Sequence, residues 1–159
     1  KIDWEHLAQD YLKSWSSQRL SEKKAFYHTS PTGYPKIPPA ILIRDYQKTA
    51  ILSWFKNQGR GTLKMATGSG KTITALAITS ELYQKIGLQV LLVICPYRHL
   101  VTQWAKECEI FNLRPILAMT RVDNWQNQLS NELYNLSSGH QLFLTVITTN
   151  STFITEGFQ

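Results

Sequence analysis

The order of apolar and polar positions divides this chain near residue 40. Trp4, Leu7, Ala8, Tyr11, Leu12 and Trp15 recur at steps of three and four, which predicts a helix over 3–15 with one apolar stripe. A second short helix is expected over 20–27. Ser30-Pro31-Thr32-Gly33-Tyr34-Pro35 and Pro38-Pro39 then break any regular backbone. Residues 30–40 therefore read as a linker, and 1–29 as a helical N-terminal segment, either the tail of an upstream domain or a small adaptor.

Beyond Ile41 the period alternates. A helix is expected over 45–57, with Asp45 as N-cap and Ala50, Ile51, Trp54 and Phe55 on its apolar face. Gly59-Arg60-Gly61 stops it, and 62–66 predicts a short strand. A helix over 70–86 turns Ile73, Leu76, Ala77, Leu82 and Ile86 inward, and Gly87 closes it. The continuous apolar run 90–95 has the pattern of a strand buried on both faces of a parallel sheet. A helix over 97–112 gathers Leu100, Val101, Trp104, Ala105, Cys108 and Phe111 on one side. A strand over 115–119, a polar surface helix over 124–136 and a strand over 142–148 follow. Strands alternating with helices imply an α/β fold: a three-layer parallel sheet, helices on both faces, right-handed connections.

Composition narrows the class without deciding it. In 159 residues, 43% are hydrophobic and 18% charged, which suits a folded domain and argues against disorder. The net charge of +6 is uneven. Between 41 and 80, six basic residues stand against one acid, so positive potential collects where the chain is richest in glycine. That suits polyphosphate or a nucleic-acid backbone, although charge alone favours plain solubility. Cys95 and Cys108 are too few for a disulfide framework and lie in apolar patterns, so buried free thiols are expected. Asp3, Glu5 and His6 interrupt the start, so no signal peptide is expected, and the run 90–95 is far too short to span a bilayer. These features suggest a soluble, cytoplasmic protein with no membrane partner. Lys1 at the start and Gly157-Phe158-Gln159 at the end suggest a piece of a longer chain.

The sharpest chemical signal is Met65-Ala66-Thr67-Gly68-Ser69-Gly70-Lys71-Thr72, between a predicted strand and a predicted helix. Glycines let the backbone curl so that successive N–H groups point inward. The following helix aims its positive end at the same spot. A lysine at 71 suits the β- and γ-phosphates of a nucleotide, and a hydroxyl at 72 suits Mg²⁺ bound through that nucleotide. The general pattern is G-x-x-x-x-G-K-[ST], and Met65 stands where its first glycine would.

That substitution, followed by Thr67-Gly68-Ser69-Gly70-Lys71-Thr72, resembles motif I of the superfamily-2 helicases and translocases. Three more segments agree in order. Leu42-Ile43-Arg44-Asp45-Tyr46-Gln47 is similar to the family's adenine-reading segment, where a glutamine pairs its amide donor and acceptor with the base edge. Leu91 to Trp104, through Pro96, Arg98 and Gln103, resembles motif Ia, with Tyr97 replacing the usual threonine. Val146-Ile147-Thr148-Thr149-Asn150-Ser151 resembles the strand end before motif II, where hydroxyls meet nucleic-acid phosphates. The wording around the loop is most similar to motor subunits of restriction and phage-defence systems, or to a DNA-repair helicase.

The resemblance implies that 41–159 is part of a RecA-like, P-loop NTPase domain that binds ATP and Mg²⁺. It implies catalytic roles for Lys71 and Thr72, with Thr72 also the Mg²⁺ contact. It implies nucleotide contacts from Arg44, Gln47, Ala66, Thr67, Gly68, Ser69, Gly70, Lys71 and Thr72. It implies nucleic-acid contacts from Pro96, Arg98, Gln103 and Thr149. Expected partners are double-stranded or partly single-stranded DNA, the remaining motor domains of the same chain, and nuclease or methyltransferase and specificity components. The family hydrolyses ATP with an adjacent Asp-Glu pair after an apolar strand, and no two of the eleven acids in this sequence are adjacent. The chain alone is therefore expected to lack ATPase activity. A non-hydrolysing nucleotide- or DNA-binding module is the alternative. A small-molecule kinase is a weaker third, since such kinases keep the first glycine.

Overall fold

The computed structural model describes residues 2–17, 33–119, 122–156 and 158. The expected helix over 20–27 and residues 30–32 of the Pro-rich stretch lie outside them. The described residues form two compact units. The first takes in 2–17 together with Ile37–Ile86. The second takes in 33–36 and the residues from Gly87 onward.

In the first unit three helices pack in sequence: α1 (Trp4–Ser17), α2 (Asp45–Lys56) and α3 (Lys71–Ile86). The stripe foreseen on α1 buries Leu7, Ala8 and Tyr11, but Leu12 faces out. Aromatic edges join α1 to α2: Trp4 meets Trp54 with centroids 5.8 Å apart, and Tyr11 meets Phe55 at 5.7 Å. Ile51 and Phe55 of α2 are fully buried, as are Leu76 and Ala77 of α3 within one percent. Such aromatic contacts add about 0.5–1.5 kcal/mol each beyond area burial. Gly59 ends the α2 turn at φ +72, and a Cβ there would overlap the Trp4 ring, so any larger residue is strained here both in backbone and in space.

Two expectations fail in this unit. The N-cap of α2 is Arg44, in extended backbone, and Asp45 is the first helical residue. Arginine has no acceptor atom, so the cap works from the other side: Oε1 of Gln47 accepts the Arg44 N–H at 2.9 Å. The stretch 62–66, expected as a strand, is extended without a ladder partner among the described residues. The Lys64 and Met65 N–H groups donate instead to the carbonyls two residues back, Thr62 and Leu63, at 3.0 and 3.1 Å. Those local bonds occupy donors that a strand would offer sideways.

One buried ionic group has a consequence for stability. Glu81 on α3 is buried, and burial raises its carboxyl above the usual range, opposed by Lys85, whose Nζ stands 4.0 Å away. Burial, and secondly the charge of Glu81, push the Tyr11 hydroxyl up as well. A carboxyl whose folded pKa lies above its unfolded one takes up a proton on folding, so stability falls as pH rises through that window. Glu81→Gln is therefore expected to raise Tm at pH 8, by about 2–4 °C for each kcal/mol recovered in a chain of this size. The gain should vanish below about pH 4, where wild-type Glu81 is protonated too. Thermal melts across pH check this, and a lowered Tm at pH 8 refutes it.

The second unit is a parallel sheet with helices: β1 (Val90–Cys95), α4 (Arg98–Ile110), β2 (Pro115–Ala118), α5 (Val122–Ser137), β3 (Leu144–Thr149) and a single turn α6 (Asn150–Phe153). The strand order is β1-β3-β2. Val90 pairs with Leu144 and Cys95 with Thr149, while Pro115 pairs with Thr145 and Ala118 with Thr148. The chain moves one way across the sheet from β1 to β2 and back from β2 to β3. Right-handed crossovers in opposite directions put α4 and α5 on opposite faces. On the α5 face Ile116, Ala118, Leu144 and Val146 pack around buried Trp125, with Leu129, Leu136 and Phe158. α4 buries Val101, Ala105 and Cys108, followed by Phe111. Gly33 and Lys36 are tied into this unit, their N–H groups donating to Asn112 and Phe111 carbonyls at 3.0 Å.

The expected α/β architecture, a parallel sheet flanked by helices, is the observed one, and it matches an incomplete RecA-like fold. The expectation that 90–95 is buried on both faces is not met. β1 lies at the sheet edge, where Val93 and Cys95 are buried but Val90, Leu92 and Ile94 remain 43%, 41% and 40% exposed. β3, whose sequence LTVITT is more polar, holds the centre and is buried at all six positions. Its Thr148 hydroxyl donates to the Ala118 carbonyl at 2.7 Å, which makes a central threonine tolerable. Both cysteines are buried free thiols, as expected. Burial raises both, with Glu107 and Glu109 adding to push Cys108 up to about 12.

Candidate functional site

The loop 66–70 joins the extended stretch to α3, and two carbonyls organise it. The Ala66 carbonyl accepts the Ser69 N–H at 3.2 Å, the Ser69 hydroxyl at 2.6 Å and Lys71 Nζ at 3.0 Å. The Gly70 carbonyl accepts the Thr74 N–H at 2.9 Å, the Thr74 hydroxyl at 3.0 Å and Gln47 Nε2 at 3.3 Å. With oxygens turned to those hubs, the amides turn the other way. Among the described residues, the N–H groups of Thr67, Gly68, Gly70, Lys71 and Thr72 meet no backbone acceptor. Gly68 and Gly70 make the curl at φ +77 and +81, a region closed to most side chains. A Cβ on Gly68 would meet nothing within 4 Å.

Lys71 opens α3, and its exposed ammonium folds back onto the Met65 and Ala66 carbonyls, both at 3.0 Å. Thr72, one residue further, is half-buried at the same helix end. No acid stands in the first turn of α3, so nothing there neutralises the positive pole of the helix. Amides without partners, a lysine and a helix N-terminus meeting at one curl make a receptor for anionic oxygens.

α2 supplies the second wall. Tyr46 donates its hydroxyl to the Ser69 carbonyl at 2.8 Å and receives Arg44 Nη1 at 3.4 Å. Gln47 is buried, and its amide accepts from the Arg44 N–H while donating to Gly70. The expected base-reading glutamine is thus brought against the loop, with its amide engaged inside the protein. A cavity of about 520 Å³ opens beside these residues, lined by Tyr46, Thr49, Ala50, Ser53, Lys64, Met65, Ala66 and Ser69. Sequence reading passed over Tyr46 and Thr74 as site residues. Only Tyr46 carried a signal, its place beside Gln47; Thr74 looks like any helical threonine.

The nucleic-acid candidates belong to the second unit. Pro96 follows β1, and Thr149 ends β3 opposite Cys95, so both sit at the C-terminal edge of the sheet, where ligands meet open α/β sheets. Arg98 opens α4 and donates Nη2 to the Met119 carbonyl just past β2, at 2.9 Å. Gln103 is exposed further along α4, away from that strand edge. Thr149 is buried and its hydroxyl caps α6, accepting the Thr152 N–H at 3.3 Å. Among the described residues no group of three or more His, Cys, Asp or Glu side chains could hold a metal. No described helix is long and apolar enough to cross a membrane.

A parallel α/β sheet flanked by helices, with a glycine-rich loop of this composition leading into α3, marks a superfamily-2, helicase-like module. The chain belongs to the family described as type III restriction enzyme, res subunit, which matches residues 40–156. It is 39% identical over 71 residues to the DNA 3'-5' translocase XPB2 of Sulfurisphaera tokodaii, covering 45% of this chain and 15% of that protein. It is 33% identical over 101 residues to an uncharacterized protein of Mycobacterium tuberculosis, covering 60% and 17% respectively. An uncharacterized protein of Mycobacterium leprae is 35% identical over 91 residues, covering 50% and 15%. The chain thus spans about a sixth of the length of the curated relatives it matches.

Proposed function

We propose that this chain is the ATP-binding part of an ATP-dependent DNA helicase or translocase, belonging to a restriction, phage-defence or DNA-repair system. The observation that carries the reading is the loop's curl, in which the amides of Thr67, Gly68, Gly70, Lys71 and Thr72 meet no backbone acceptor among the described residues and the Lys71 ammonium folds back onto the loop. Ala66, Thr67, Gly68, Ser69, Gly70 and Lys71 would hold the triphosphate, and Thr72 the Mg²⁺ that accompanies it. The bound nucleotide supplies a phosphoanhydride bond. The loop supplies fixed donors, which stabilise anionic oxygens without reorganising. Arg44 and Gln47 belong to the adenine end, beside the cavity that Tyr46 lines. Pro96, Arg98, Gln103 and Thr149 are proposed for the DNA strand. Further motor domains, and nuclease, methyltransferase or specificity components, are proposed partners in the cytoplasm.

No adjacent acid pair occurs in the sequence. Magnesium positioning and water activation both need such acids. ATP binding without measurable turnover is therefore expected for the 159 residues, with or without DNA. Equilibrium binding of labelled ATP, followed by a phosphate-release assay on the same sample, checks both halves. Nucleic-acid-stimulated hydrolysis would refute the inactivity, and failure to bind ATP would refute the site. The lack of that acid pair also favours a second reading, a nucleotide- or DNA-binding module that never hydrolyses. A translocase needs the pair elsewhere in its chain, so an Asp-Glu doublet encoded downstream decides against the module.

A further inference from the structure

At the C-terminal edge of β1 the chain displays two aromatic rings that no internal packing requires. Tyr97 follows Pro96 as the N-cap of α4, in extended backbone at φ −136 and ψ 149, and its side chain makes no capping bond. Its ring is 63% exposed. Two residues on, exposed His99 lies alongside it, with planes within 9° and centroids 5.6 Å apart, an offset stack. Between them Arg98 is held toward the end of β2 by its bond to the Met119 carbonyl. No acid stands in the first turn of α4.

We propose that the Tyr97 ring, braced by His99, is a stacking platform for an unpaired base of the bound nucleic-acid strand. The inference rests on the nucleic-acid half of the proposed function. The physics has three parts. Every base offers a π-face, so a flat exposed ring binds bases without reading sequence. A ring already leaning on a neighbour has less rotamer freedom to lose on binding. The Arg98 side chain, from the residue between the two rings, and a helix N-terminus with no acid in its first turn add positive charge at this edge, which attracts the phosphate joined to the stacked nucleoside. Bases inside a duplex already have both faces covered, so the platform selects single-stranded segments.

The test uses the 159-residue chain and two fluorescein-labelled oligonucleotides, one of thymidines and one of the same length made of abasic units. Tyr97→Ala is expected to weaken binding of the thymidine strand on the order of 5- to 100-fold. Tyr97→Phe should stay within about twofold of wild type, since the π-face remains. Both variants should bind the abasic strand as wild type does. Quenching of 2-aminopurine placed in the strand, by wild-type protein, reads the stack without any substitution. Wild-type binding with no quenching, unchanged affinity in Tyr97→Ala, or an equal loss on the abasic strand overturns this assignment alone. A wild-type chain that binds neither strand overturns both this assignment and the nucleic-acid half of the proposed function.

Discussion

Replacing Lys71 with alanine is expected to weaken ATP binding roughly 10- to 150-fold while leaving the fold intact. The ammonium spends its hydrogen bonds on two carbonyls, Met65 and Ala66, in an exposed setting. Losing it leaves those carbonyls to water rather than stranding a buried charge, so Tm should move by no more than about 2 °C, as surface substitutions cost within about 0.5 kcal/mol. For a triphosphate the same change removes a charge-assisted contact worth about 1.5–3 kcal/mol, or roughly 10- to 150-fold in affinity. The amides of Thr67 to Thr72 remain, so a weak residual affinity for phosphate groups is expected. Titration of labelled ATP into both proteins, beside their melting curves, separates the two effects. Equal affinity would remove Lys71 from the site, and a collapsed melting curve would make it a structural lysine.

How far the sequence reaches is visible in single residues. The curl of the loop was legible because it is local: Gly68 and Gly70 take positive φ just ahead of α3, and residue type and spacing within one turn of backbone suffice to suggest that. The boundaries of β1, 90–95, were legible for a similar reason, since an apolar run of six bounded by Gly87 and Pro96 admits little else. What such a run does not state is its neighbours. Val90–Cys95 reads as a strand buried on both faces and lies at an edge, while the threonine-rich β3 takes the centre. Burial depends on strand order, and order depends on crossovers that hydropathy does not encode. The stretch 62–66 fails for a related reason, because a strand exists only with a partner and its own carbonyls claimed the donors first. Gln47 shows the same limit at the site. Its type and spacing pointed at a base, but only the fold shows its amide holding Arg44 and Gly70 together. Arg98, read as a nucleic-acid contact, is likewise found bonded to Met119, twenty-one residues away, which its spacing does not show.

The two glycines of the loop, alike in the sequence and in φ, are expected to respond very differently to a methyl group. At Gly68 an alanine Cβ meets nothing within 4 Å. The cost is the left-handed backbone alone, about 1–2 kcal/mol. At Gly70 the same strain applies, and the Cβ would lie 2.7 Å from Gln47 Nε2. Gln47 has no room to yield cheaply, being buried and fixed at its oxygen by the Arg44 N–H at 2.9 Å. Moving it breaks its bond to the Gly70 carbonyl and disturbs the start of α2, adding about 1–3 kcal/mol for buried groups left unpaired. Gly70→Ala should therefore cost on the order of 2–5 kcal/mol in all, against about 1–2 kcal/mol for Gly68→Ala. At about 2–4 °C per kcal/mol, the Gly70 variant is expected to melt well below the Gly68 variant. The partner can be tested too. If the clash with Gln47 is the cause, shortening that side chain in Gln47→Ala should make the two changes less than additive, since each removes the same bond. Equal Tm losses at positions 68 and 70, or full additivity in the double variant, would mean that Gln47 does not brace the loop.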